Sequence, residues 1–107
     1  MSELPSFDDY DEVIHAPRRL SICAFLASVD AAEFATLRDS LGISESSLSK
    51  QIRILVIADY VRTERVTARG RARMWLRLTS AGRDAFDAHI ARLRHLVQTY
   101  GLGPNPE

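Results

Sequence analysis

The chain has 107 residues, of which 46% are hydrophobic and 26% are charged. This is enough apolar sequence for one small domain with a modest core, and too much for an intrinsically disordered chain. No apolar run approaches the ~20 residues that cross a membrane, the acidic start lacks a signal-peptide pattern, and the single cysteine, Cys23, excludes an internal disulfide framework. We therefore expect a cytoplasmic protein with no membrane partner.

The formal net charge is zero, but the charges are segregated along the chain. Residues 1–12 contain five acidic residues and no basic one, and we interpret them as a mobile acidic N-terminus. Residues 62–77 contain six arginines and one glutamate, so this segment carries a charge of six minus one, or +5. A neutral chain with such a basic segment can bind a polyanion locally, which keeps nucleic acid among the possible partners.

The first main helix is predicted for residues 18–29, directly after Pro17, a residue that suits the first turn of a helix. A helix that is apolar nearly all round must be covered on both sides. We expect the second cover to be another subunit or the acidic N-terminal segment. The apolar residues are Leu20 and Cys23 on one face, and Ile22, Phe25 and Val29 on the other.

A second helix, residues 33–41, is followed by a sharp turn and a third helix, residues 44–58. Gly42 suits the end of the second helix and Ser44 suits the N-cap of the third. With about 100° per residue, the third helix has an apolar face and a face of hydroxyl groups and cations. Such a helix suits the DNA major groove, although an ordinary amphipathic surface helix has the same pattern. The apolar face contains Leu48, Ile52, Leu55 and Val56, and the polar side contains Ser46, Lys50 and Arg53, with Ser49 near the border.

A β-hairpin is predicted after the third helix, because residues 60–66 and 74–78 are rich in β-branched, aromatic and other apolar residues. Residues 67–71, which include Gly70, are the expected loop. We expect Arg69, Arg71 and Arg73 at or near its tip, where guanidinium groups can enter the minor groove or bind phosphates. A solvated loop is the alternative.

The last helix is predicted for residues 80–99, with Thr79 or Ser80 as its N-cap. It carries a narrow apolar seam with spacings of four, three and four residues, as in coiled coils. Such a helix lies on its own domain or pairs with its copy in a second chain, and residues 100–107 are expected to form a flexible tail. The seam residues are Phe86, Ile90, Leu93 and Val97.

We expect no metal, no cofactor and no catalytic site. His89 flanks the apolar seam and His95 lies nearly opposite it, so one chain cannot chelate a metal with both. We expect these histidines at the surface or an interface, and His15 to cap or orient the first helix. The sequence has no glycine-rich phosphate loop and no nucleophile elbow.

The order helix, helix, turn, helix, basic hairpin, helix is that of a winged helix-turn-helix domain. The sequence resembles MarR/ArsR-like transcriptional regulators, and in particular a small single-domain branch that opens with Ile-His-x-Pro-x-Arg. The resemblance covers about residues 13–97. It rests on Ile14 to Leu20, Phe34 to Arg38, Leu41 to Ser44, Leu48 to Leu55, Tyr60-Val61 and Leu78 to Arg83.

This resemblance implies a mainly α fold with a two-stranded β-hairpin wing (α+β), in which residues 13–99 include N- and C-terminal dimerisation helices. It implies a homodimeric repressor that binds double-stranded DNA sequence-specifically, with helix 44–58 in the major groove and wing 62–77 beside it. The implied DNA contacts are Ser46, Ser47, Ser49, Lys50, Arg53, Arg69, Arg71 and Arg73. The implied dimer interface contains Leu20, Ile22, Phe25, Phe86, Ile90, Leu93 and Val97.

The sequence departs from the family at Val56 to Asp59, where relatives usually have a charged pair followed by Ala-Gly. Ile54 and Ile57 are also unusual, because both point away from the apolar face of the third helix. These residues and the overall neutrality leave open a winged-helix module that docks an acidic protein. A third hypothesis is a sensor that binds a small-molecule effector, of unknown identity, at the dimer interface.

Overall fold

The computed structural model describes residues 11–101, which form one helical domain with a small antiparallel sheet. Most of the predicted N-terminal segment and of the predicted tail, residues 1–10 and 102–107, lie outside the described residues. The elements in chain order are α1 (Glu12–His15), α2 (Pro17–Ala27), β1 (Ala32–Glu33), α3 (Phe34–Leu41), α4 (Glu45–Ile57), β2 (Val61–Ala68), β3 (Arg71–Leu78) and α5 (Ser80–Tyr100).

Short polar side chains cap the starts of α4 and α5, where the sequence predicts them. The Ser44 hydroxyl accepts a hydrogen bond from the Ser47 amide at 3.1 Å, and Thr79 accepts one from the Gly82 amide at 2.9 Å. Gly42 ends α3 in the left-handed conformation, with φ +65°. The boundaries of the main helices agree with the prediction to within two residues.

Asp11 belongs to the domain, although we assigned residues 1–12 to a mobile segment. Its carboxylate caps α1 by accepting hydrogen bonds from the amides of Val13 at 2.9 Å and Ile14 at 3.3 Å. It also accepts a hydrogen bond from the hydroxyl of Tyr60, a residue that lies between α4 and β2. This bond and the partial burial of the phenol raise the pKa of Tyr60 to about 12.

The sheet has three strands in the order β1-β3-β2, one more than the predicted hairpin. The additional strand pairs Ala32 with Leu76 and Glu33 with Trp75. It was not predicted because two residues are too few to show the alternation of a strand. The sheet, α1, α2, α3 and α4 together enclose the core, whose fully buried members include Ile14, Leu26, Leu37, Leu48, Leu55 and Leu76.

Two residues differ from the predicted faces. Ile22 was expected at a dimer interface, but it is completely buried within this one chain because α2 is covered on that side by its own domain. Val56 was expected on the buried face of α4, but it is 40% exposed. It lies about 80° from Leu48, at the edge of the buried stripe, where the wing leaves it uncovered.

Cys23 is buried in the core. Burial is the main cause that raises the pKa of its thiol to about 12, and the negative charge of Asp11 adds to it. The side chain is therefore a neutral thiol at physiological pH and packs as a small apolar residue.

A histidine pair joins α1 to α5. His15 Nδ1 lies 3.2 Å from His89 Nε2, and the rings meet edge to face with centroids 5.1 Å apart. His89 is fully buried, which corrects the expectation of a surface or interface histidine. It is covered because α1 packs across α5 at this point.

Helix α5 starts in close contact with the backbone between α4 and β2. The Thr79 amide donates to the Tyr60 carbonyl at 3.0 Å, and the Thr79 hydroxyl donates to the Asp59 carbonyl at 2.6 Å. A Cβ atom on Gly82 would lie 2.1 Å from the Tyr60 carbonyl oxygen, which is far closer than two such atoms can approach. Glycine is therefore required at position 82 for this packing.

We predict that Gly82→Ala lowers the free energy of unfolding by about 2–3 kcal/mol, because backbone has to move to admit the methyl group. Urea denaturation at fixed protein concentration measures the loss. Ala81→Ser, a change at the exposed neighbouring position, is the matched control and should leave the midpoint nearly unchanged. Equal midpoints for Gly82→Ala and the wild type would contradict the close packing of α5 on Tyr60.

The His89 environment predicts a pH dependence of stability. Burial, and to a lesser extent the electrostatic effect of the neighbouring His15, lower the pKa of His89 below its usual value of about 6.5. At a pH between the lowered pKa of His89 in the folded chain and its usual pKa in the unfolded chain, the unfolded chain binds a proton that the folded chain does not. The free energy of unfolding therefore falls as pH decreases through this range. Unfolding midpoints of the wild type should therefore decrease from pH 7.5 to pH 5.5.

His89→Gln should flatten this dependence, because glutamine does not titrate. His95→Gln, at an exposed position of the same helix, should retain the wild-type slope. The same slope in all three proteins would show that His89 does not cause the pH dependence.

Candidate nucleic-acid interface

Helix α4 presents a polar stripe to solvent directly opposite its buried stripe. Leu48 and Leu55 are completely buried and Ile52 is 5% exposed, and these three residues fix the orientation of the helix. Four of the five α4 residues predicted to contact DNA therefore face outward. Ser46, Ser49, Lys50 and Arg53 are exposed.

Ser47 differs from the other four predicted DNA contacts of α4, because it is half-buried and its hydroxyl has a partner within the chain. Arg18 Nη1 donates to Ser47 Oγ at 2.8 Å. Arg18 itself is exposed, so the structure adds a guanidinium group beside the first turn of α4. The Ser46 hydroxyl lies 3.4 Å from Ser44 Oγ and remains exposed.

Arg19 holds α4 against the first two helices. Its Nη1 donates to Gln51 Oε1 at 2.8 Å, and its other nitrogens donate to the carbonyls of Val13 and Glu12. The sequence contained one indication of this role. Two arginines in the first turn of a helix oppose the helix dipole, which suggests that other groups hold them.

The wing is longer and its turn is tighter than predicted. Strands β2 and β3 pair from Val61 with Leu78 to Ala68 with Arg71, so the turn contains only Arg69 and Gly70. Both have positive φ, 53° and 76°, as a two-residue hairpin turn of type I′ requires. Arg69 alone is therefore at the tip. Arg71 and Arg73, which we placed in or near the loop, belong to β3.

The arginines of the wing are distributed over both of its faces. Side chains alternate along a strand and directly paired residues share a face, so Arg65 and Met74 point to the same side. This side faces α4, because these two residues and Arg53 line the same groove. By the same alternation Arg71 and Arg73 start from the other face, although the Arg73 side chain also lines this groove.

Arg73 forms an ion pair within the chain. Its Nη1 lies 3.1 Å and 3.2 Å from the two carboxylate oxygens of Glu33, on β1. The Arg73 side chain is 48% exposed and that of Glu33 is 21% exposed. Arg73 therefore joins the wing to β1, in addition to any contact that it makes with a ligand.

An open groove of about 670 Å³ lies between α4, α3 and the wing. Its apolar lining includes Phe34, Ile52 and Met74. Four arginines and two glutamates also line it, and only Arg53 and Arg65 of these six have no ion pair among the described residues. Arg65 was not among the predicted contacts. The alternation of β2 would have placed it on the α4 side once the register of the hairpin was known.

Of the seven predicted dimer-interface residues, Ile22 is buried in the core and the other six are half-buried. Leu20, Phe25 and Phe86 are half-buried and pack against the core of their own chain. Ile90, Leu93 and Val97 are half-buried and continue the apolar seam along α5.

Among residues 11–101 there is no group of three or more His, Cys, Asp and Glu side chains arranged to hold a metal ion. No helix in the same part of the chain is long and apolar enough to cross a membrane.

A helix pair with an outward polar stripe, followed by an arginine-bearing hairpin, defines a winged helix-turn-helix DNA-binding domain. Residues 18–97 match the family model described as winged helix DNA-binding domain, and the chain belongs to this family. The match confirms the predicted class of DNA-binding protein.

One relative is similar over most of the chain, and solved structures agree with the fold. An uncharacterised protein of Methanocaldococcus jannaschii is 25% identical over 85 residues, which are 79% of this chain and 92% of the relative. The structure of a transcriptional regulator homologue from Pyrococcus horikoshii OT3 superimposes with a TM-score of 0.81 at 24% identity, over 84% of this chain and 89% of that one. The fold implied by the resemblance to MarR-like regulators is confirmed.

The PcaV transcriptional regulator from Streptomyces coelicolor, solved in complex with its natural ligand, has the same fold. The TM-score is 0.73 at 18% identity, and the alignment covers 91% of this chain and 67% of PcaV.

Two of the arginines of the wing, Arg69 and Arg73, should respond differently to substitution. Arg73→Ala should lower the free energy of unfolding by about 0.5–1 kcal/mol, because Glu33 loses its partner. Arg69→Asn should leave it unchanged or raise it by up to about 1 kcal/mol, because asparagine adopts positive φ more readily than arginine. Urea denaturation of both variants beside the wild type measures the difference. A larger loss for Arg69→Asn than for Arg73→Ala would contradict the two-residue turn.

Proposed function

We propose that this protein is a homodimeric transcriptional regulator that binds a specific operator in the cytoplasm and represses by occupying it. The observation that carries this proposal is the exposed stripe of Ser46, Lys50 and Arg53, directly opposite the buried stripe of α4. Burial of the apolar side leaves this helix one surface for a partner. That surface has the hydroxyl and cationic groups that match the base edges of a major groove.

The side chains on α4 have separate roles in this proposal. Arg53 and Lys50 can donate to the O6 and N7 atoms of guanine, and the hydroxyls of Ser46 and Ser49 to either kind of base. Arg18 lies beside the first turn of α4, where it can bind a phosphate while it orients Ser47. These are proposed contacts, and they follow from exposure, charge and position on the helix.

The wing supports binding that does not depend on sequence. Arg69 at the tip and Arg71 beside it are both exposed. Arg71 pairs with Ala68 through its backbone, so the side chains of both arginines stay outside the sheet pairing. A guanidinium at a hairpin tip suits the minor groove or the phosphate backbone next to the groove that α4 occupies. Arg65 faces the groove between the two elements, where the intervening DNA strand would pass.

The dimer is supported by the length and pattern of α5. This helix has 21 residues and is about 31 Å long at 1.5 Å per residue. Phe86 packs against the core, whereas Ile90, Leu93 and Val97 extend the same seam beyond it. Pairing of this seam with that of a second chain would produce two recognition helices related by a two-fold axis. Such a dimer fits two half-sites one turn of DNA apart.

Selection of genomic fragments with the purified protein tests this function, with its mass measured in solution alongside. We expect a dimer that retains one class of sequence. Lys50→Ala and Arg53→Ala should each weaken specific binding by about 5- to 100-fold, because each removes a contact to base edges. Arg69→Asn combined with Arg71→Ala should weaken binding to most sequences and reduce the dependence of affinity on salt.

Arg94→Ala, an exposed charge change on α5, is the control for net charge and should leave DNA affinity nearly unchanged. Retention of no fragment, or an affinity independent of salt, would contradict the proposal. Capture of an acidic protein partner in place of DNA would favour the docking-module hypothesis.

A further inference from the structure

Ile57 is the most exposed of the large apolar side chains in the described part of the chain, with 79% of its surface accessible. It is the last residue of α4. An isolated exposed aliphatic residue needs no explanation in general, but its position on the helix determines which partner it meets.

The position of Ile57 continues the proposed DNA-contact stripe. Ser46, Lys50, Arg53 and Ile57 are separated by four, three and four residues, so all four lie within a narrow sector of the helix surface. By the same geometry, Ile57 lies about 180° from Leu48, the residue that anchors the helix in the core. After Ala58 the chain turns at Asp59, with φ +65°, and departs into β2, so it does not cover this sector.

The charges around Ile57 select the kind of partner. Arg53 precedes it by one turn of the helix, and Arg65 faces it from the wing across the groove that all three line. Neither arginine has an ion pair among the described residues. The other charged side chains of this groove pair with one another, Arg38 with Glu45 and Arg73 with Glu33. The unpaired charge in the groove is therefore positive, and together with Ile57 it suits a polyanion that also presents an apolar group.

Within the major groove, that apolar group is the C5-methyl of thymine. We propose that Ile57 contacts a thymine methyl group and determines sequence preference at one position of each half-site. The inference rests on the proposed function, because it requires α4 to lie in the major groove. It adds an apolar contact to a surface whose other members act through hydrogen bonds and charge.

Replacement of thymine by deoxyuridine tests this contact, because uracil lacks the methyl group and retains the same hydrogen-bonding edges. The operator recovered by selection is synthesised with one thymine at a time replaced. For the wild type we expect one position in each half-site where the replacement weakens binding by about three- to four-fold, the contribution of one buried methyl group.

Ile57→Ala should weaken binding to the unmodified operator and abolish the response to deoxyuridine at that position. Folding should be preserved, because the side chain is exposed. Val56→Ala is the matched control. Val56 is the neighbouring exposed aliphatic residue but lies about 100° away around the helix, so this variant should respond to deoxyuridine as the wild type does.

The possible failures are distinguishable. If an operator is recovered and binding is insensitive to deoxyuridine everywhere, the inference is wrong while the proposed function stands. An equal response of wild type and Ile57→Ala at every thymine would likewise overturn it, and would assign Ile57 to the sugar–phosphate backbone or to no contact. If no sequence is selected, the proposed function fails and the inference fails with it.

Discussion

The contact between the start of α5 and the backbone of Asp59 and Tyr60 is the constraint on which the arrangement of the domain depends. Three elements meet there: the end of α4, the root of the wing, and the first turn of α5. Thr79 donates hydrogen bonds to the successive carbonyls of Asp59 and Tyr60. Gly82 packs directly against the Tyr60 carbonyl, where any side chain would collide with it. Since α4 and the wing leave this point in different directions, it sets the angle between the two elements proposed to contact DNA.

The first turn of α4 is held independently of that contact. Ser44 caps the helix, Arg18 binds Ser47, and Arg19 connects Gln51, in the middle of α4, to the first residues of α1. The hydrogen-bonding groups of these residues are directed within the chain, and those of Lys50 and Arg53 are directed outward. A helix fixed at both ends loses little further conformational freedom on binding, so more of its contact energy becomes affinity.

The parts of this fold that could be predicted from the sequence are those specified by nearby residues. Gly42, Ser44 and Thr79 act on amides within a few positions, and the two stripes of α4 follow from its period alone. The parts that could not be predicted depend on contacts between distant residues. His89 packs against His15, 74 positions away, and Arg19 donates a hydrogen bond to Gln51, 32 positions away. Neither role therefore leaves a local pattern in the sequence. The hairpin turn was predicted too long because arginine rarely adopts the left-handed conformation that Arg69 has here.

Lys50 differs chemically from every other cationic side chain of the protein. It is the single lysine in the sequence, and the remaining basic side chains on both sides of it and throughout the wing are arginines. Lysine side chains are acetylated, whereas the guanidinium of arginine keeps its charge throughout the physiological range. Acylation can therefore neutralise one side-chain charge of this chain, and that charge lies at the centre of the exposed stripe of α4.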